Sequence, residues 1–186
     1  MKAYKWADGS IRLFRPDGNA ARLAASARRM ALPELSQDDL IASLTALVTA
    51  DAAWVPDQVG WRLYLRPTIF GTEPSLLIQP ANEVEYIVTA RPANGNFFGG
   101  TTGASVWFSK DYRKATQRGT GQAKTSGDYA ASMLAAKEAY ANGCGKVLFL
   151  DAQTARYVEE LLGECGAPTS PARSRARGSR RGTMST

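Results

Sequence analysis

One segment of the sequence combines residue types that can do chemistry at close spacing: Gly119-Thr120-Gly121-Gln122-Ala123-Lys124-Thr125-Ser126-Gly127-Asp128-Tyr129. It sets a lysine among small residues just ahead of a helical pattern. Small neighbours let a bulky cofactor approach the backbone, and a partly desolvated lysine amine can attack a carbonyl carbon. Taken alone, Lys124 reads first as a solvated loop lysine, because lysines are mostly exposed. Tyr64 and Arg66, two apart in a strand-like run, point to one face; alone they read as a sheet-surface pair, and Glu160 as a solvent-exposed carboxylate. The chain has no histidine, which removes Ser-His and Cys-His catalysis, histidine zinc sites and histidine bases together. Its two cysteines, Cys144 and Cys165, form neither a disulfide framework nor a metal-ligand spacing.

The elements that must position these residues follow from patterning. KAYKW and SIRLF are strand-like runs joined at Ala7-Asp8-Gly9, a hairpin signal. After the turn Pro16-Asp17-Gly18, Asn19 is expected to cap a helix through NAARLAASARRMAL that Pro33 stops. Ser36 and Asp39 resemble a capping box ahead of Leu40, Ile41, Leu44, Leu47 and Val48 at helical spacing. WRLYLRPTIF and VEYIVTA read as strands, as does ASVWFS; DYAASMLAAKEAYANG predicts one helix ended by Asn142-Gly143, and KVLFLD a short buried strand. This order predicts an α+β fold: a small domain over 1–93, a Gly/Pro/Asn-rich linker over 94–104, and a partial second domain over 105–165.

The chain has 186 residues, 44% of them hydrophobic, enough for one ordinary domain or two small ones. Its net charge of +6 resides at one end. Residues 166–186 hold Arg173, Arg175, Arg177, Arg180 and Arg181 with no acid, and the remainder is nearly neutral. That Arg/Ser/Pro/Gly-rich stretch lacks the apolar residues for a core and is expected to be disordered. A nucleic-acid-binding tail is the reading of a different class, but the arginines have no interleaved aromatics for stacking. No apolar run approaches the ~18 residues of a membrane span, and no secretory start is visible, so a cytoplasmic protein is expected.

The segment GTGQAKTSGDYAASMLAAKEAYANGCGKVLFLD resembles the lysine region of the branched-chain amino acid aminotransferases, fold-type IV enzymes that use pyridoxal phosphate. KAYKWADGSIRLFRPDGNAARLAASARRMALP and LYLRPTIFGTEPSLLIQP are similar to earlier segments of the same family, in the same order. The resemblance implies transfer of the amino group of leucine, isoleucine or valine to 2-oxoglutarate, in a homodimer. It implies that Lys124 holds the cofactor covalently and moves the proton between the substrate Cα and the cofactor. It further implies that Tyr129 bonds the phenolic oxygen, Glu160 pairs with the pyridine nitrogen, Arg22 contacts the phosphate, and Tyr64 and Arg66 line the substrate site. Leu76 and Ile78 match residues that reach the neighbouring subunit's pocket; in isolation they would be core.

Within the same fold class, a D-amino acid aminotransferase or an aminodeoxychorismate lyase is the alternative; the wording RPTIFGTEPSL argues against both. Two positions depart from the family's K-x-G-G-N-Y. Ser126 replaces a glycine, which matters only where the backbone needs positive φ, and Asp128 replaces asparagine, adding a negative charge near the lysine. The ends also differ from the family pattern. They suggest a truncated form, with the arginine-rich stretch read in a shifted frame, and make an inactive fragment a further reading.

Overall fold

The computed structural model describes residues 1–94 and 105–162. The four strands β1 (Lys2–Lys5), β2 (Ile11–Leu13), β3 (Trp61–Gly71) and β4 (Val84–Asn94) form an antiparallel sheet in the order β2-β1-β3-β4. The β1–β2 hairpin turns at Gly9, whose φ of 80° is in the region that favours glycine. Asp8 fastens the turn by accepting from the Ser10 N–H at 2.9 Å. β3 and β4 pair along their whole length, from Trp61 opposite Asn94 to Gly71 opposite Val84. Strand pairing thus reaches one residue past the expected domain limit at 93, and the rest of the expected linker lies outside the described residues.

Two helices pack on this sheet, α1 (Pro16–Arg29) and α2 (Gln37–Ala50). Leu40, Leu44 and Val48 of α2 meet Leu63 and Leu65 of β3, with Ala3 and Ala20, in one apolar core. Alternation along β3 sends Leu63 and Leu65 inward and leaves Tyr64 and Arg66 on the other face. The Ser36 side chain accepts from the Asp39 N–H at 3.1 Å, so the expected cap of α2 is present. The cap of α1 is not where the sequence placed it. The helix starts at Pro16, three residues before Asn19, because proline at the first helical position presets φ and lacks only an N–H that would be unpaired there. Asn19 instead lies in the first turn, its Nδ2 donating to the Arg15 carbonyl at 2.9 Å. The end also comes earlier than Pro33. Ala31 turns left-handed (φ 54°), and the Leu32 and Ala31 N–H groups close on the Ala27 and Arg28 carbonyls at 2.9 and 3.1 Å.

A second sheet has the order β5-β6-β7, from β5 (Val106–Phe108), β6 (Lys146–Leu150) and β7 (Val158–Leu162). β5 and β6 are parallel, and β7 returns antiparallel to β6. Parallel neighbours need a crossover, supplied by α3 (Ser126–Ala130) and α4 (Met133–Ala141). Ala135, Ala136 and Ala139 let α4 lie close to Val147 and Phe149 of β6. The single helix expected over this stretch is broken at Ala131–Ser132. Buried Ser132 turns both its N–H and its hydroxyl onto the Tyr129 carbonyl, at 3.0 and 2.6 Å, competing with the helical bond. Strand β7, unforeseen in the sequence, is set by Asp151. That carboxylate accepts the N–H groups of Thr154, Arg156 and Tyr157 at 2.6, 2.9 and 2.8 Å and so builds the β6–β7 turn. These bonds hold its pKa well below the ordinary carboxylate value, the Tyr157 and Thr154 N–H groups first. Among the described residues no helix is long and apolar enough to cross a membrane.

Candidate active site

The lysine loop is held from the first sheet's side by one face of α1. Arg22, Ser26 and Arg29 recur at spacings of four and three, which places them along one helical stripe. Ser26, buried, accepts the Lys124 backbone N–H at 3.0 Å and donates to the Arg22 carbonyl at 2.9 Å. One turn further on, the Arg29 guanidinium donates to the Arg118 and Gly119 carbonyls at 3.0 and 3.1 Å. Two of the predicted site residues, 102 positions apart in sequence, are thereby joined through one hydroxyl. Gly121 permits the fold of the loop on itself, because a Cβ there would come within 2.7 Å of Ala115 Cβ.

The Lys124 side chain is exposed, and its Nζ donates to the Tyr129 hydroxyl. Tyr129 stands on α3, five residues on, with the Lys124 Nζ 4.8 Å and the Lys114 Nζ 5.2 Å from its ring centroid. Thr125 precedes α3 in extended conformation and Ser126 is its first residue, without positive φ. The serine in place of glycine therefore carries no backbone strain.

Asp128 does not face Lys124. Its Oδ2 accepts from Lys114 Nζ at 2.6 Å, and its Oδ1 is buried without a hydrogen-bond partner among the described residues. Lys114 also donates to Glu160 Oε1. The two side chains of the Lys114–Asp128 pair are 4% and 5% exposed, whereas Glu160 is 36% exposed, so the cluster opens to solvent only at Glu160. Burial pulls the Lys114 pKa down most strongly, but hydrogen bonds and charges from Asp128 and Glu160 together outweigh it and the net direction is up. Lys114 was invisible as a site residue in the sequence. Its partners are 14 and 46 residues away, and no local spacing signals such a pair.

Arg22 is exposed, its Nη2 donating to Asn19 Oδ1 at 3.3 Å. Tyr64 and Arg66 share the face of β3 opposite the core, as the alternation predicts. The Arg66 and Arg91 guanidinium carbons lie 5.5 and 5.7 Å from the Tyr64 ring centroid. Leu76 and Ile78 are fully exposed, so they are not core in this chain.

An accessible amine hydrogen-bonded to a phenol, a half-open carboxylate on a strand and a guanidinium on a helix are the group types that a phosphorylated pyridine aldehyde would need. Residues 1–159 match the family described as amino-transferase class IV, and the chain belongs to that family. It is 53% identical over 164 residues to the branched-chain-amino-acid aminotransferase of Mycobacterium tuberculosis, covering 88% of this chain and 45% of that protein. The enzyme of the same name from Mycolicibacterium smegmatis is 51% identical over the same length and coverage. The chain spans somewhat under half the length of these relatives. Among solved structures, the T.th. branched-chain amino acid aminotransferase with pyridoxamine 5'-phosphate matches with a TM-score of 0.70 at 25% identity, over 86% of this chain and 50% of that one.

Proposed function

We propose that this chain carries the lysine-bearing part of a pyridoxal phosphate-dependent aminotransferase acting on leucine, isoleucine and valine, with 2-oxoglutarate as acceptor. The observation that carries the reading is the exposed Lys124 amine on the Tyr129 hydroxyl, inside a loop braced by α1. The names of relatives above half identity support the substrate class, against a D-amino acid aminotransferase or a lyase. When bound, pyridoxal phosphate supplies an electron-accepting ring that stabilises negative charge at the substrate Cα.

The residues then divide the work. Lys124 Nζ is the nucleophile and the atom that carries the proton to and from Cα. Tyr129 holds that nitrogen in place and offers its hydroxyl to the cofactor's phenolic oxygen. Glu160 would meet the ring nitrogen, where a carboxylate favours the protonated form. Arg22 presents a planar fork to the phosphate. Tyr64 and Arg66, with Arg91 beside them, offer a cationic, aromatic face for the substrate carboxylate. A homodimer in the cytoplasm belongs to the same proposal, with Leu76 and Ile78 at the subunit contact.

The test is chemical. Pyridoxal phosphate is added to the full chain, borohydride fixes any lysine adduct, and peptide mapping finds it. The expected result is one labelled peptide, containing Lys124, that disappears in Lys124→Ala. Labelling scattered over several lysines, or none, would overturn the assignment.

A further inference from the structure

Lys114 has no role in the scheme above, yet it is the most completely enclosed cation described in the site. An ammonium at 4% exposure is tolerated only when paired and hydrogen-bonded. Here it is paired twice, to Asp128 and to Glu160. The three residues come from three places: the segment after β5, helix α3, and strand β7. Asp128 closes the inner end of the cluster. Glu160 forms the outer end, and only its Oε1 is taken; its Oε2 has no hydrogen bond among the described residues. One ammonium between two carboxylates leaves a net negative charge, so Lys114 can grip Glu160 without cancelling it. Asp128 is what makes that possible, since a lysine facing Glu160 alone would neutralise it.

We propose that Lys114, itself fixed by Asp128, is a positioning residue. It holds Glu160 by one carboxylate oxygen and leaves the other for the protonated ring nitrogen of pyridoxal phosphate. The proposal rests on the functional reading given above. It assigns to the Asp128 substitution a partner other than the nucleophilic lysine.

The experiment is a double-mutant cycle on the full chain, using Lys114→Met and Glu160→Gln singly and together, with Lys114→Arg as the conservative variant. Affinity for pyridoxal phosphate is read by absorbance titration, and melting temperature is read without ligand. Lys114→Met is expected to weaken binding about tenfold in the wild-type background and hardly at all with Glu160→Gln, since residues in one charge network are not additive. Lys114→Arg is expected to restore most of the affinity. Equal losses in both backgrounds, or no loss, would overturn the proposal, because a purely structural lysine is blind to position 160. Where wild-type chain takes up no pyridoxal phosphate, the functional reading falls on its own. The ligand-free melts then decide: additive effects of the two substitutions overturn the grip on Glu160, and non-additive ones support it. Should Lys114→Met fail to fold, Lys114→Gln, which removes the charge but keeps a polar side chain, against Glu160→Gln supplies the same comparison.

Discussion

A lysine that acts as a nucleophile must be reachable, and one that organises carboxylates must be enclosed. This chain has a reachable lysine and an enclosed one, ten residues apart, and these are the two roles proposed for them. Lys124 alone reads as a solvated loop lysine; it stood out only through the family resemblance, which a short contiguous segment carrying both Lys124 and Tyr129 makes visible. Lys114 did not stand out, because its meaning depends on residues brought in from another helix and another strand. The same blindness affected Asp128. Its charge was assigned to the lysine nearest in sequence, whereas the fold turns it to the one across the loop. Ser26 was also missed: a serine on a helix face gives no hint of accepting a backbone N–H from 98 residues away. Removing that hydroxyl deletes two hydrogen bonds, one of them on the lysine loop, and leaves the part-buried Lys124 N–H without that partner. Ser26→Ala is therefore expected to lose about 1–3 kcal/mol of local stability. Amide hydrogen exchange at Lys124 measures it: exchange should accelerate there while β1–β4 amides stay unchanged. Unaltered exchange at Lys124 would show that Ser26 does not anchor the loop.

At the scale of elements, periodicity found helices and strands wherever the apolar pattern was strong, and it failed at their ends. α1 starts and stops by backbone devices, a proline at its first position and a left-handed alanine after its last turn, that outrank the side-chain caps read from sequence. α2 followed its written cap. Ser36→Ala should thus cost about 1 kcal/mol, readable as a lowered urea midpoint with unchanged slope. β7 escaped notice since Val158-Glu159-Glu160-Leu161-Leu162 does not alternate and its turn has no glycine. The turn is made instead by Asp151, and this has a pH signature. A carboxylate whose pKa is depressed on folding contributes stability that is complete above its unfolded value, about 3.9. The contribution is lost as pH falls through the lower folded value. Asp151→Asn is expected to be less stable than wild type at neutral pH, with the gap narrowing as pH drops below about 4. Thermal melts from pH 7 to pH 2 check this; a gap constant over that range would show that the charge of Asp151 is irrelevant to the turn.

Across the whole molecule, the order β2-β1-β3-β4 could not be read from the chain. It requires β1 to pair with both its hairpin neighbour and a strand that comes two helices later. The residues by themselves also misled about which faces stay open, since Leu76 and Ile78 in isolation read as core. Leu76, Leu77 and Ile78 form an apolar run at 104%, 74% and 107% exposure on the β3–β4 connection, a display that a solitary soluble unit rarely makes. Under the proposed subunit contact, Leu76→Ser with Ile78→Ser should leave the fold intact, because neither side chain touches the core. Sedimentation velocity should then show self-association weakened at least tenfold. Sedimentation identical to wild type would place any subunit contact elsewhere.

The bridge from Ser26 to Lys124 also orders events in time. Closing a loop of 98 residues costs chain entropy that the few hydrogen bonds from Ser26 and Arg29 do not repay on their own. The lysine segment therefore docks only against an α1 already held by its sheet. During synthesis α1 is made first, so the receiving surface is ready when Gly119 to Lys124 emerges. The arrangement of the lysine loop is in this sense a late property of the chain, gained after the first sheet is built and lost first when α1 loosens from it.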